Sequence, residues 1–239
     1  MKGPAPATAA GFALVHSPMV EPDCWRAVAS CLRPFGSDAR VIDYGGVWGP
    51  DWYVGAATRI AREAAGLNQP WALALHSAAG ALAPAIVKAV IAKPSVILFI
   101  DAILPHPGRS WLETAPPALA NRLRGLAEDG VLPPWNRWFV ADPTPRLISD
   151  EARRVEFEAA LPRLPMSFLQ CPAPAEDLSA DERVGYLRLS EGYEAEATAA
   201  ELMGWKVASA RMDHLAMISQ PDRVAAVMTE LAAALLAHG

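Results

Sequence analysis

The chain alternates between short apolar runs and longer segments in which apolar residues recur at helical spacing. Apolar runs bounded by polar or turn residues are typical of strands buried on both faces of a parallel sheet. The intervening segments predict helices, among them 23–33, 54–66 and a last helix that Pro221 opens. The pattern predicts an α/β fold, a mostly parallel sheet with helices on both faces. The predicted strands are Phe12–Val15, Ala39–Asp43, a run that starts at Trp71, Ser95–Ile100, Val184–Leu189 and Lys206–Ala210.

Between residues 104 and 181 the strand pattern is lost and prolines become frequent. Helical spacing persists near 118–128 and 150–161. We interpret this segment as a helical cap inserted over one edge of the sheet. The core domain is then formed by residues 1–103 and 182–239, with the cap between them.

The predicted cap is rich in aromatic residues, including Trp135 and Trp138. Such side chains commonly pack a cap onto the core. They are also suited to lining a pocket for an apolar group. Trp135 and Trp138 are therefore candidate substrate-binding residues, and the sequence leaves both roles open.

The run that starts at Trp71 ends abruptly at a His76-Ser77 pair and continues into an alanine-rich segment. A serine at a sharp turn between a strand and a helix is held with its Oγ exposed at the carboxyl end of the sheet. Small residues, here Ala78 to Gly80, let the helix pass close to the strand. Ser77 is accordingly a candidate nucleophile, although a serine here can also simply cap the helix.

Composition narrows the class of protein. The chain has 239 residues, 52% hydrophobic and 20% charged, which suits one domain with an insertion. Its net charge of -5 disfavours binding to nucleic acid or anionic membranes. We expect a small-molecule substrate, and composition leaves a homodimer open.

The cysteines and the N-terminal segment indicate the cellular compartment in which the protein is expected. Cys24, Cys31 and Cys171 are odd in number and lack metal-ligand spacing, which predicts reduced thiols in a cytoplasmic protein. The proline-broken segment 1–8 resembles neither a signal peptide nor a membrane span.

A histidine stands in the loop between the last predicted strand and the last helix. This is His214, and it follows Ser77 in the order serine, then histidine, that hydrolases of this topology use. We therefore predict that His214 is the general base.

Three stretches together resemble a known family, the α/β-hydrolases, and within it the cofactor-independent group of plant methylesterases and hydroxynitrile lyases. His16–Trp25 is similar to that group's opening His-Gly loop, which ends in Trp. Leu75–Gly80 resembles its Gly-His-Ser-x-Gly-Gly elbow, and Asp213–Met217 resembles its Asp-His-x-x-Met segment. The resemblance implies Ser77 as nucleophile and His214 as base, with no metal and no cofactor.

The acid that would orient His214 has three candidates. The family position is the loop after the strand 184–189, which offers Glu191 and then Glu194. Asp101, directly after the strand 95–100, is the alternative, because a carboxylate among apolar neighbours needs a partner that His214 would supply.

The oxyanion-binding groups depart from the family pattern. Ala78 would supply one backbone N–H. The second donor aligns with Pro18, which has no N–H, so Met19 would have to replace it. Ser17 and His76 stand beside these positions and are further candidates for contacts with the substrate.

Two hypotheses for function follow. In the first, the protein is a serine hydrolase that cleaves an ester, thioester or lactone of a small apolar molecule through an acyl-enzyme on Ser77. In the second, it keeps the fold for lyase or isomerase chemistry or for ligand binding, without an acyl-enzyme. Pro18 and Leu75, which stands where the elbow normally has a small residue, favour the second.

Overall fold

The computed structural model describes residues 9–46 and 48–237. The N-terminal segment 1–8, interpreted above as neither signal peptide nor span, lies outside the described residues. Within them, no helix has both the length and the apolar character needed to cross a membrane.

The centre of the fold is a parallel sheet, in which the described strands are ordered β2-β1-β3-β4-β7-β8. This confirms the predicted class, because strands and helices alternate along the chain on either side of the cap segment. The main-sheet strands are β1 (Gly11–Val15), β2 (Asp38–Ile42), β3 (Trp71–His76), β4 (Val96–Ile100), β7 (Val184–Arg188) and β8 (Lys206–Ser209).

Helices cover both faces of this sheet, and strand β3 shows why. Leu73 and Leu75 face one apolar cluster, to which the second, third and ninth helices contribute. Ala72 and Ala74 face another cluster, to which the first and last helices contribute. A strand buried on both faces needs an unbroken apolar sequence, as β3 has. These helices are α1 (Arg26–Leu32), α2 (Trp52–Ala64), α3 (Ala83–Ala89), α9 (Glu194–Leu202) and α11 (Pro221–Leu236), and the short α10 (Ala216–Ser219) joins the second cluster.

The segment 104–181 contributes no strand to the main sheet. It holds both predicted helices, as α5 and α7, together with a small antiparallel pair of strands that the sequence pattern did not predict. The boundaries of a separate cap stay a prediction. The elements are α4 (Trp111–Thr114), α5 (Pro117–Leu126), β5 (Val131–Leu132), α6 (Thr144–Leu147), α7 (Glu151–Ala160), β6 (Leu164–Pro165) and α8 (Met166–Gln170).

Candidate active site

Ser77 lies at the turn between β3 and the following helix, and its backbone is strained. Its φ of 56° is in the left-handed region, which non-glycine residues rarely adopt and which occurs often at functional sites. The helix begins as a 3-10 helix, Ser77–Leu82, before α3. A Cβ added at Gly80 would overlap the carbonyl oxygen of Ile103, so the helix passes as close as the small residues predicted.

Asp101 occupies the equivalent place on the neighbouring strand. Because His76 pairs with Ile100 in the register of β3 and β4, Ser77 and Asp101 leave the sheet side by side. Asp101 also has a positive φ, 41°. The Ile103 N–H donates to the Ser77 carbonyl oxygen at 3.1 Å, which joins the two strand ends.

The Asp101 carboxylate is fully buried and every contact it makes is with a donor. Its Oδ1 accepts from the backbone N–H of Leu189 at 2.6 Å and of Ser190 at 3.1 Å. Its Oδ2 accepts from Ser190 Oγ at 2.5 Å and lies 3.1 Å from His214 Nδ1. A buried carboxylate with this set of partners is compensated for the loss of water and fixes the orientation of the imidazole.

The other two carboxylates proposed for this role lie elsewhere. Glu191 and Glu194 are exposed, and Glu194 pairs with Arg188 at 3.2 Å. Among the described residues, Asp101 is the carboxylate in hydrogen-bond contact with the His214 ring.

Two aromatic rings enclose the imidazole of His214. The Tyr193 ring stacks on it with centroids 4.8 Å apart and an angle of 9°, and the His76 ring lies at 4.6 Å. His76 Nε2 also contacts the His214 carbonyl oxygen at 3.1 Å. These contacts, together with Asp101, leave the ring little rotational freedom.

The partner of the Ser77 hydroxyl is Tyr193. Ser77 Oγ lies 3.3 Å from the Tyr193 hydroxyl, and within the described part of the chain no hydrogen bond joins it to His214. Without substrate, catalytic hydrogen bonds are often long and form only when the substrate is bound. The arrangement is therefore compatible with proton transfer from Ser77 to His214.

Tyr193 was not among the residues proposed from the sequence. It lies in the loop after β7, at the carboxyl edge of the sheet where ligands of parallel sheets bind. That position is the one signal in the sequence for Tyr193, because no motif marks it.

One of the two proposed oxyanion donors, the Met19 N–H, already has a hydrogen-bond partner. Ala78 and Met19 line the cavity above Ser77. The Met19 N–H, however, donates to Ser17 Oγ at 3.3 Å. Ser17 is buried and does not line the cavity, and neither does His76, which lies beneath His214.

The cavity has a volume of about 1200 Å³ and lies between the carboxyl edge of the sheet and the 104–181 segment. Trp135 and Trp138 both line it, and their contact with a substrate stays a prediction. Trp138 is 2% exposed, and its Nε1 donates to the Pro133 carbonyl oxygen at 2.8 Å, so it also holds its own segment together. Further apolar lining comes from Ile103, Trp111, Leu119, Phe139 and Leu147.

Three histidines outside the Asp101 pair are buried, and burial favours their neutral form. Burial lowers the pKa of His16 and His106 from the ordinary value of 6.5. For His76 burial lowers the pKa much further, and the adjacent His214 adds to the effect.

This burial predicts a pH dependence of stability. The unfolded chain protonates these histidines as the pH falls below 6.5, whereas the folded chain resists protonation, so protons favour unfolding. We expect the free energy of unfolding to decrease by up to roughly 1.4 kcal/mol per pH unit for each histidine between about pH 7 and 5.5.

Urea unfolding at intervals across this range would measure the slope. His106→Gln, which is remote from the cavity, should remove part of it. A free energy of unfolding that is flat from pH 7 to 5.5 would contradict the prediction.

Comparison with known proteins places the fold. No family model and no curated protein sequence matches the chain. Solved structures match it over nearly its full length. An extracellular α/β-hydrolase from a Paenibacillus species, described as sharing structural and functional homology with tobacco salicylic acid binding protein 2, has a TM-score of 0.77 at 18% identity, covering 93% of this chain and 98% of its own.

Two further solved structures belong to the same set. Polyneuridine aldehyde esterase has a TM-score of 0.71 at 16% identity, covering 93% of this chain and 99% of its own. Tomato methylketone synthase I, complexed with 2-tridecanone, has a TM-score of 0.68 at 18% identity, covering 94% of this chain and 98% of its own. These neighbours agree with the group that the sequence motifs resemble. The chain therefore has the α/β-hydrolase fold.

Proposed function

We propose that the protein is a serine hydrolase that cleaves an ester, thioester or lactone through an acyl-enzyme on Ser77. The observation that carries the proposal is the hydrogen bond from His214 Nδ1 to the buried carboxylate of Asp101, beside a serine at a strained strand-to-helix turn. Nucleophile, base and orienting acid are the three groups that this chemistry needs.

In the proposed reaction, Ser77 Oγ attacks the substrate carbonyl carbon while its proton passes to His214 Nε2. The carbonyl π electrons move to oxygen, and the Ala78 N–H stabilises the negative charge. Collapse breaks the bond to the leaving group, which takes the proton from His214. Water then attacks the acyl carbon as His214 takes its proton, the bond to Ser77 Oγ breaks, and Oγ takes that proton back, which releases the acid.

The cavity supports a substrate with an apolar body. Its walls include Trp111, Trp135 and Phe139, and its volume of about 1200 Å³ is slightly above the range of roughly 300–1,000 Å³ usual for small-molecule sites. One structural neighbour was solved with 2-tridecanone, an apolar ketone, which agrees with this class of ligand.

We further propose that the protein acts in the cytoplasm on a diffusible substrate. The three cysteines are free, as reduced thiols would be. A homodimer stays a prediction, which sedimentation of the purified protein would test.

A fluorophosphonate probe tests the acyl-enzyme proposal directly, because it reacts with activated serine nucleophiles. We expect the intact mass to rise by one adduct per chain, and peptide mapping to place the adduct on Ser77. Ser77→Ala is the matched control and should remain unlabelled. An unlabelled wild-type protein, or a label equally strong in the control, would contradict the proposal.

The second candidate function, lyase, isomerase or binding activity without an acyl-enzyme, is favoured by a separate observation. The Met19 N–H is already bonded to Ser17, and the Ser77 hydroxyl is bonded to Tyr193 and not to the base. A neighbour named as a methylketone synthase agrees with that reading. The labelling experiment distinguishes the two functions.

A further inference from the structure

The oxyanion site of the proposed hydrolase is one backbone donor short. Pro18 has no N–H, and the Met19 N–H donates to Ser17 Oγ at 3.3 Å. The Ala78 N–H is then the remaining backbone donor of the predicted pair. Acyl-transfer enzymes depend on such donors, since losing one costs roughly a hundred- to a thousand-fold in rate.

Tyr193 presents a donor at the reacting atoms. Its hydroxyl lies 3.3 Å from Ser77 Oγ and its ring is stacked on His214, so one residue contacts both nucleophile and base. The loop that carries it is anchored, because Asp101 accepts hydrogen bonds from the N–H and Oγ of Ser190. The phenol therefore stands at a fixed place above the nucleophile.

We propose that Tyr193 is a catalytic residue whose hydroxyl donates a hydrogen bond to the substrate carbonyl oxygen as Ser77 attacks. This inference rests on the proposed hydrolase function and deepens it. In the tetrahedral intermediate, Ser77 Oγ and the oxyanion are bonded to the same carbon. A hydroxyl beside Oγ before attack therefore lies close to the place where the oxyanion forms, and rotation of its O–H would direct the hydrogen bond there.

The proton inventory of this step is simple. The Ser77 proton moves to His214 Nε2, the Oγ–carbon bond forms as the carbonyl π electrons move to oxygen, and the phenol O–H donates to the oxyanion. Tyr193 keeps its proton throughout, and burial, which raises the pKa of its phenol, favours the protonated form. When the intermediate collapses, the charge returns to the carbonyl bond and the leaving group takes the proton from His214.

The ring and the hydroxyl of Tyr193 are separable. The ring face covers His214, where positive charge develops during attack, and a cation near an aromatic face is stabilised. Tyr193→Phe retains this contact and the packing of the loop, and it removes the hydroxyl alone. It is therefore the variant that isolates the proposed donor.

The test compares wild type, Tyr193→Phe and the matched control Tyr53→Phe, which removes the hydroxyl of a tyrosine that does not line the cavity. With p-nitrophenyl butyrate, we expect Tyr193→Phe to lower kcat roughly a hundred-fold or more, with little change in KM. An alkyl trifluoromethyl ketone, which forms a tetrahedral oxyanion adduct with the serine, should bind this variant more weakly by a similar factor. Tyr53→Phe should match wild type in both measurements.

The outcomes separate this inference from the function on which it rests. If wild type is active but Tyr193→Phe matches it, the inference is overturned and the hydrolase function stands. A loss of turnover with unchanged affinity for the ketone also overturns it, because a hydroxyl that stabilises the oxyanion would stabilise the ketone adduct as well. If wild type neither turns over the ester nor binds the ketone, both are overturned.

Discussion

Replacing Ser77 with alanine is expected to abolish turnover of p-nitrophenyl butyrate, lowering kcat on the order of a million-fold. The variant lacks the atom that would form the acyl-enzyme, and the Tyr193 hydroxyl beside that atom is proposed as a hydrogen-bond donor and not as a nucleophile. Residual rate would come only from binding and from the oxyanion donors. Steady-state kinetics with active-site titration of the wild type would measure the loss.

The same variant should remain folded. Alanine bears the positive φ at position 77 about as well as serine, and the change removes one hydrogen bond, to Tyr193, worth about 1 kcal/mol. Ser37→Ala is a matched control, because it removes another buried hydroxyl, bonded to the Ala9 carbonyl oxygen at the opposite end of the sheet. Activity retained in Ser77→Ala, with the control also active, would exclude the acyl-enzyme mechanism.

Asp101→Asn is expected to lower kcat on the order of ten-thousand-fold while preserving the fold. Two backbone N–H groups, of Leu189 and Ser190, hold Oδ1, so the asparagine oxygen would take that place. Its NH₂ group would then face His214 Nδ1. The Nδ1 atom would accept a hydrogen bond there, so the imidazole would carry its proton on Nε2, which is the wrong tautomer for a base.

Glu191→Gln is the matched control for the acid, since Glu191 lines the cavity but has no hydrogen bond to His214 within the described chain. We expect its kcat to stay within a few-fold of wild type. Kinetics of both variants, with circular dichroism to confirm folding, would decide the assignment. A large loss in Glu191→Gln beside a near-normal Asp101→Asn would restore the family position of the acid.

The fold could be predicted because the patterns that indicate it lie within short stretches of the sequence. Strands such as β3 and β4 are unbroken apolar runs, and only a strand covered on both faces needs such a sequence. The turn at Ser77 was equally visible, because small residues must follow where helix and strand pass closely. The two-residue strands of the 104–181 segment were missed, since so short a pair leaves no periodicity to detect.

The choice among acids was not decidable from the sequence. Asp101 and Glu191 each follow a strand that ends at the same edge, and periodicity cannot say which loop turns toward His214. The register of β3 and β4, together with the amides that hold Asp101, supplies that information. Tyr193 escaped detection for a related reason, because its role depends on the orientation of a loop and not on any motif.

The hydrogen bond from the Ile103 N–H to the Ser77 carbonyl oxygen, with Gly80 close to the Ile103 carbonyl oxygen, has a consequence for how this protein can diversify. It links the nucleophile to the proposed orienting acid through backbone contacts that involve no residue of the 104–181 segment. The nucleophile and the proposed acid therefore lie in different stretches of sequence from the 104–181 residues that line the cavity. A library that randomises the lining positions of 104–181 and leaves 75–80 and 100–103 intact would explore new substrates without rebuilding the machinery.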